Sequence, residues 1–461
     1  VESRRDFSGG LNITAPSDTL DSNELLQCVN ARVEQFGGIM RRLGSRKLNS
    51  APLDNGSDTR VQGVFQWTPI AGAPWFTQII AVCDGVLWHS DGAPFSTFQA
   101  PISPANPFSR TTGAVFQPFR GNAPGAPLLL FIGGNGNVTA SFNTTGNVLA
   151  TVGGFNGVPT SSYAIRAFGT RMFYTGDSSN LKQLVWSKIG DGTVCTTGGV
   201  SDGGSALIDT LTGDTLTALE IAGSSLLIGT EDSLSRFTGT GDDIRISQDS
   251  FGISTEIGPT GPRGMIRVDG YCFLNSKRGI YVANEGGVIS VSDKIVSPQQ
   301  TALRIDNAAT DAQGNSIFPI MGHNRRRNEV WIACAPLGSH SRTRCLIYNY
   351  KLQCWYGPFE YPFGICSLGV FKSTDGVESI MAGCEDGYIR LLDDLDSTML
   401  DDGTIDYECV VQFAPFGLSS GPRTRKVFEK AFLQVIGEYA YTLQATGDLG
   451  ATDNPVLVTS F

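Results

Sequence analysis

Residues 267–287 read RVDGYCFLNSKRGIYVANEGG. An apolar strand runs into a turn of Asp and Gly, a second strand carrying aromatic residues follows, and another turn closes the unit. The same rhythm recurs in TQIIAVCDGVLWHSDG (77–92), PLLLFIGGNGNVTASF (127–142), IRAFGTRMFYTGD (165–177) and LEIAGSSLLIGTEDSLSRFTG (219–239). It returns in NEVWIACAPLG (328–338) with RCLIYNYKLQCWYGPF (344–359), and in ESIMAGCEDGYIRLLDD (378–394). The central strands of these units start near Ile79, Leu129, Met172, Leu226, Cys272, Val330 and Ile380, at intervals of roughly 43 to 58 residues. That is the length of a four-stranded propeller blade.

Inside a blade the middle strand is covered on both faces, so a near-continuous apolar run such as LLLFI or SLLIG is expected there in place of clean alternation. Asp84-Gly85, Asn135-Gly136 and Asp386-Gly387 are hairpin signals between adjacent strands. The predicted fold is therefore all-β: a β-propeller of six to seven blades over residues 61–396. A pair of β-sandwiches with irregular loops is the competing architecture.

Composition agrees. The 461 residues include 56 Gly and 22 Pro, and only 17% are charged, as expected for many tight turns between short strands. No run of about eighteen apolar residues is present, so no stable membrane insertion is expected. No basic and apolar leader stands at Val1, and no secretory signal is read. A net charge of −10 argues against a body that grips nucleic acid over its whole surface.

Outside the repeats, residues 1–60 read as an N-terminal arm. Gly9-Gly10 and Gly37-Gly38 bracket it with sharp bends. Between them, Leu20, Leu25, Leu26, Val29 and Val33 predict a short helix over 18–34, capped by Ser22 or Asn23 and ended at a glycine. Residues 292–315 lack strand character and predict a helix from near Pro298 through Thr301 to Ala309. Residues 397–461 alternate like the strands of a small C-terminal β-sandwich-like domain, and the expectation is that this domain is incomplete.

Candidate chemistry is sparse. Three histidines, His89, His323 and His340, show no metal spacing and read as surface residues. No phosphate-binding glycine loop and no Gly-x-Ser-x-Gly elbow occurs. Asp242-Asp243, Asp393-Asp394 and Asp401-Asp402 read as solvated turns, with calcium in DDLDSTMLDDG (393–403) as the rival. Ten cysteines without a Cys-x-x-Cys pair read as buried thiols of a protein assembled in a reducing cytosol. The expectation is a protein without catalytic residues, cofactor or metal. Basic clusters remain at Arg4, Arg5, Arg41, Arg42, Arg46 and Lys47, and at Arg325, Arg326 and Arg327, with a third at Arg423, Arg425, Lys426 and Lys430. They are solvated faces or contacts with an acidic partner surface, and the first two are the candidate partner interface.

Residues 6–49, DFSGGLNITAPSDTLDSNELLQCVNARVEQFGGIMRRLGSRKLN, resemble the amino-terminal signature of bacteriophage tail proteins. That family includes the tail nozzle, or tail tubular protein B, and the packaged-DNA stabilisation proteins of short-tailed phages. The matching positions are Gly9, Gly10, Asn30, Arg32, Gly37, Gly38, Arg42 and Gly44. The resemblance implies a structural virion protein of the phage tail, assembled in the bacterial cytoplasm. Copies of it form a ring, usually a homo-hexamer, beneath the portal and adaptor, which retains packaged DNA and conducts it during ejection. Neighbouring tail proteins, including fibre or spike proteins, are the implied partners, and genomic DNA passes without sequence-specific binding. The alternative is a virion propeller that degrades polysaccharide or binds a receptor.

Overall fold

A computed structural model describes residues 6–413, apart from 16–18, 55–58, 68–76, 91–94, 100–107, 109–112, 121–127, 135–136, 144–147, 176–179, 199–201, 209–213, 240–244, 248–252, 296–308, 313 and 396–399. Strands Thr442–Ala445 and Val456–Ser460 are also described. The chain divides into two compact units, Val1–Pro415 and Phe416–Phe461.

In the first unit, seven sheets of at least four strands follow one another along the chain. Their first strands are Val61–Trp67, Val115–Arg120, Ile165–Phe168, Leu216–Ala222, Met265–Val268, Ile320–Asn324 and Ile365–Lys372. Each packs against the next, and the last packs against the first. A closed circle of sheets in this order is a seven-bladed β-propeller, with the first strand of each blade innermost. The second strands include Gln78–Cys83, Ser225–Thr230 and Glu329–Cys334, which are buried at every position. Burial on both faces accounts for the apolar runs in the sequence. Asp84 and Gly85 take φ values of 50° and 73°, the tight hairpin turn that an Asp-Gly pair favours.

The core lies between blades. Ile80, Val82 and Leu87 of blade 1 meet Phe116, Leu130, Ile132 and Phe142 of blade 2, and comparable clusters fill the other seams. The largest cluster joins blades 5, 6 and 7 to Leu11, Ile13, Leu25, Cys28, Ala31 and Val33 from the start of the chain. All ten cysteines are free thiols, and only Cys409 is exposed.

That start is not a helical arm. Among the described residues no helix occurs, and the predicted helix over 18–34 is replaced by strands Glu24–Val29 and Ala31–Val33. Asn30, at φ 52°, turns the chain between them. Glu24–Val29 pairs with Cys354–Glu360 at the outer edge of blade 6, with Gly10–Leu11 and with Val410–Phe413. Those ladders, and full burial of Leu25 and Cys28, outweigh a weak local helical pattern. Arg46–Lys47 then pairs with Ile389–Leu392 as the fourth strand of blade 7, so the ring closes on a sheet shared by early and late sequence. Val410–Phe413, expected in the C-terminal sandwich, belongs to the first unit. The second unit has one described pair of antiparallel strands. The helix predicted from Pro298 lies outside the described residues up to residue 308, and Ala309 onward is extended or turn.

Candidate functional site: an arginine latch and an axial arginine

The N-terminal cations and the late aspartates, both expected at the surface, meet each other. Arg32 lies on the short strand Ala31–Val33, which is covered on both faces, so its side chain is buried although it points away from Ala31 and Val33. Its Nη2 lies 2.5 Å from Asp393 Oδ2, and its Nη1 lies 3.9 Å from Glu329 Oε1. Glu329 also accepts from Trp331 Nε1 at 2.8 Å and Tyr356 Oη at 2.5 Å. Burial raises the Glu329 pKa although Arg32 pulls it down. Burial by itself would lower the Arg32 pKa, but Asp393 and Glu329 outweigh it and raise it.

Arg42 is the second clamp. Its two terminal nitrogens reach Asp401 Oδ1 and Oδ2 at 2.9 and 2.6 Å, Nε donates to Asn30 Oδ1 at 3.0 Å, and Nη2 donates to Glu360 O at 2.8 Å. The guanidinium lies over the rings of Tyr407 and Tyr361, at 3.6 and 4.4 Å. Around it, Arg46 pairs with Asp394, Lys47 with Asp402, and Arg41 with Asp406. Arg390 holds Asp386 and Asp402 together.

Most of the candidate partner interface is thus engaged within the chain. Arg42 is fully buried, and Arg41, Arg46 and Lys47 are ion-paired, because the carboxylates that complement them lie in the same molecule. Asp393, Asp394 and Asp401 are buried and not solvated, and guanidinium groups occupy the positions a calcium ion would need. No cluster of metal-binding side chains occurs among the described residues. Arg4, Arg5, Asp242, Asp243 and the third basic run lie outside the described residues. Of the remaining run, Arg327 pairs with Glu34 and Asp393, Arg326 is half-buried, and Arg325 is exposed. His89 and His323 are buried in strands, contrary to the surface expectation, while His340 is exposed.

At the tip of the hairpin Ala31–Val33/Ile39–Arg41, whose Glu34 pairs with Arg327, stands Phe36, which sequence reading passed over. It is 90% exposed. Its turn is tied down by Glu34 N to Gly38 O, Gly37 N to Glu34 O and Phe7 N to Gly37 O, so the ring is presented on a fixed base.

A second feature lies on the propeller axis. Arg263 precedes the innermost strand of blade 5, yet its Nη1 donates to Cys366 O of blade 7 at 2.8 Å and to Gln62 O of blade 1 at 3.3 Å. A Cβ built on Gly113, at the entry to blade 2, would fall 2.2 Å from Arg263 Cζ. A side chain that leaves blade 5 and touches blades 7, 1 and 2 crosses the centre of the ring. At the outer edge of blades 2 and 3, a cavity of about 610 Å³ is lined by Gly157, Pro159, Thr160, Gln183, Thr196 and Ser205 among others.

No protein-family model and no curated protein matches this chain. Among solved structures, the crystal structure of the N-terminal domain of Nup159 is similar at 10% identity, with a TM-score of 0.43, over 80% of this chain and 98% of that one. No helix among the described residues is long and apolar enough to cross a membrane.

Proposed function

We propose that this chain is a structural component of a bacteriophage tail, and that copies of it form a ring-shaped nozzle or tube beneath the portal and adaptor, retaining packaged DNA and conducting it during ejection. The observation that carries the reading is the segment 6–49. Its signature positions Asn30, Arg32 and Arg42 are those that fasten the start of the chain to blades 6 and 7. Physical arguments run the same way. An acidic body repels phosphate and keeps adhesion to DNA low. The propeller's own axis is crossed by Arg263, so a duplex passes between copies and not through one. Ring contacts of this kind are heterologous, one patch against a different one, and the exposed Phe36 and the exposed Arg325 are surface positions such a contact would use.

Electron microscopy of the purified chain and of intact virions tests the proposal. A ring on the DNA exit axis is expected, and a lone copy away from that axis overturns it. The alternative, a receptor-binding or polysaccharide-degrading virion propeller, draws on the cavity at blades 2 and 3. Its neutral lining of Gly, Thr, Ser and Gln favours binding over hydrolysis, which needs two carboxylates across the pocket. Inhibition of phage adsorption by the purified chain would favour that alternative.

A further inference from the structure

We propose that Arg263, with Arg342 beside it, forms a binding site for a small oxyanion of the phosphate class, at the end of the propeller axis where the innermost strands begin. The placement follows from which residues Arg263 reaches. Gln62 and Cys366 are second in the innermost strands of blades 1 and 7, Gly113 stands just before that of blade 2, and Arg263 O accepts from Met321 N at the start of that of blade 6. Arg342 donates Nη1 to Ile365 O at 3.3 Å and Nε to Phe318 O at 2.7 Å, so the two cations bond consecutive carbonyls of blade 7.

Neither guanidinium has an ion-pair partner among the described residues. Two carboxylates, Glu385 and Asp311, act on Arg342 through their field without bonding it, and Asp311 is already held by Arg60 at 2.8 Å and by Asn315. Carbonyl dipoles satisfy part of each guanidinium and supply no net negative charge. An arginine has five N–H donors. Arg263 uses Nη1, which leaves the hydrogens of Nε and Nη2 without an acceptor among the described residues, and Arg342 leaves Nη2. Burial, with the charge of Arg342 adding to it, pulls the Arg263 pKa down to about 9. Arg342 thus feels Glu385 and Asp311 at a distance while Arg263 has Arg342 as its charged neighbour, and a planar fork with free donors matches an oxyanion that bonds both. Gly113 belongs to the arrangement, since any larger residue there displaces the guanidinium.

The test is titration of the full chain with inorganic phosphate, by calorimetry and by thermal shift, against sodium chloride at equal ionic strength. Saturable binding of one phosphate per chain is expected, with a higher Tm than in chloride. Arg263→Gln and Gly113→Ala are expected to weaken it by about tenfold or more, while Arg278→Gln, at an exposed pair with Glu256, leaves it unchanged. No difference between phosphate and chloride for the wild type overturns the site. Wild-type affinity in Arg263→Gln overturns it too. Should Arg263→Gln fail to fold, Arg342→Lys is read in its place, and undiminished binding there is equally fatal. The site stands apart from the tail assignment, so either can fail alone.

Discussion

Arg42 and Asp401 lie 359 positions apart and meet through two hydrogen bonds of 2.9 and 2.6 Å, with neither side chain exposed. The pair joins the incoming segment to the loop that follows blade 7. Together with Arg32–Asp393 and the strand Arg46–Lys47, it makes the first fifty or so residues part of the ring closure.

Breaking this pair from one side leaves a buried charge with no counter-ion. Arg42→Leu or Asp401→Leu is therefore expected to cost about 3–5 kcal/mol in denaturant unfolding. The double variant should lose clearly less than the two single losses added together. Strict additivity would show that the two side chains do not act as one unit.

His323 gives the fold a pH dependence. Burial, reinforced by the charge of Arg325, pulls its pKa to about 4, from an ordinary value of 6.5. Between those values the unfolded chain binds a proton that the folded chain refuses, so stability rises with pH across that window. The contribution is complete above about pH 6.5 and is lost as the pH falls to about 4, amounting to about 3 kcal/mol at most. Chemical unfolding of His323→Gln at a series of pH values should show a flatter profile there. An unchanged slope would mean the imidazole does not titrate with folding.

The blades were legible because their signal is local. Each central strand carries its own apolar run and a turn of fixed chemistry, and Asp84-Gly85 takes the φ values its sequence favours. The latch was not legible, because a charge pattern gives no partner. Asp393-Asp394 and Asp401-Asp402 look like any acidic turn until Arg32, Arg42 and Arg46 are brought against them from more than 340 positions away. Leu25, Leu26, Val29 and Val33 satisfy a helical spacing, and only the ladders with blade 6, Gly10–Leu11 and Val410–Phe413 make that segment a strand. Arg263 left no trace in sequence at all, since its role depends on four blades meeting at one axis.

The thiols offer a direct check on burial. Nine of the ten cysteines are buried, and burial raises the pKa of Cys28 and Cys334 to about 12, so their thiolates are scarce at neutral pH. Cys409 is the exposed one, and although partial burial raises its pKa as well, it is the thiol a reagent can reach. Labelling of the native chain under reducing-then-desalted conditions should give one fast-reacting thiol, mapped by mass spectrometry to Cys409, with the other nine appearing only on unfolding. Rapid modification of Cys345 or Cys384, both in the blade 5 to 7 core, would contradict the packing of that seam.

Phe36 carries the prediction that bears most directly on assembly. A monomeric surface rarely fixes a large aromatic ring in water on a hairpin this well tied, and exposed aromatic and arginine side chains, here Phe36 and Arg325, are the residue types enriched in contact anchors. Because the ring touches little of its own chain, Phe36→Ser should change unfolding stability by no more than about 0.5 kcal/mol. Arg325→Glu should behave alike in stability, apart from easing the field on His323 and so raising its pKa. Both substitutions should reduce the assembled fraction in sedimentation velocity and in electron micrographs, with the double variant weaker than either. A pair of variants that fold and assemble as the wild type does would remove this flank from the ring contact, whatever the other flank contributes.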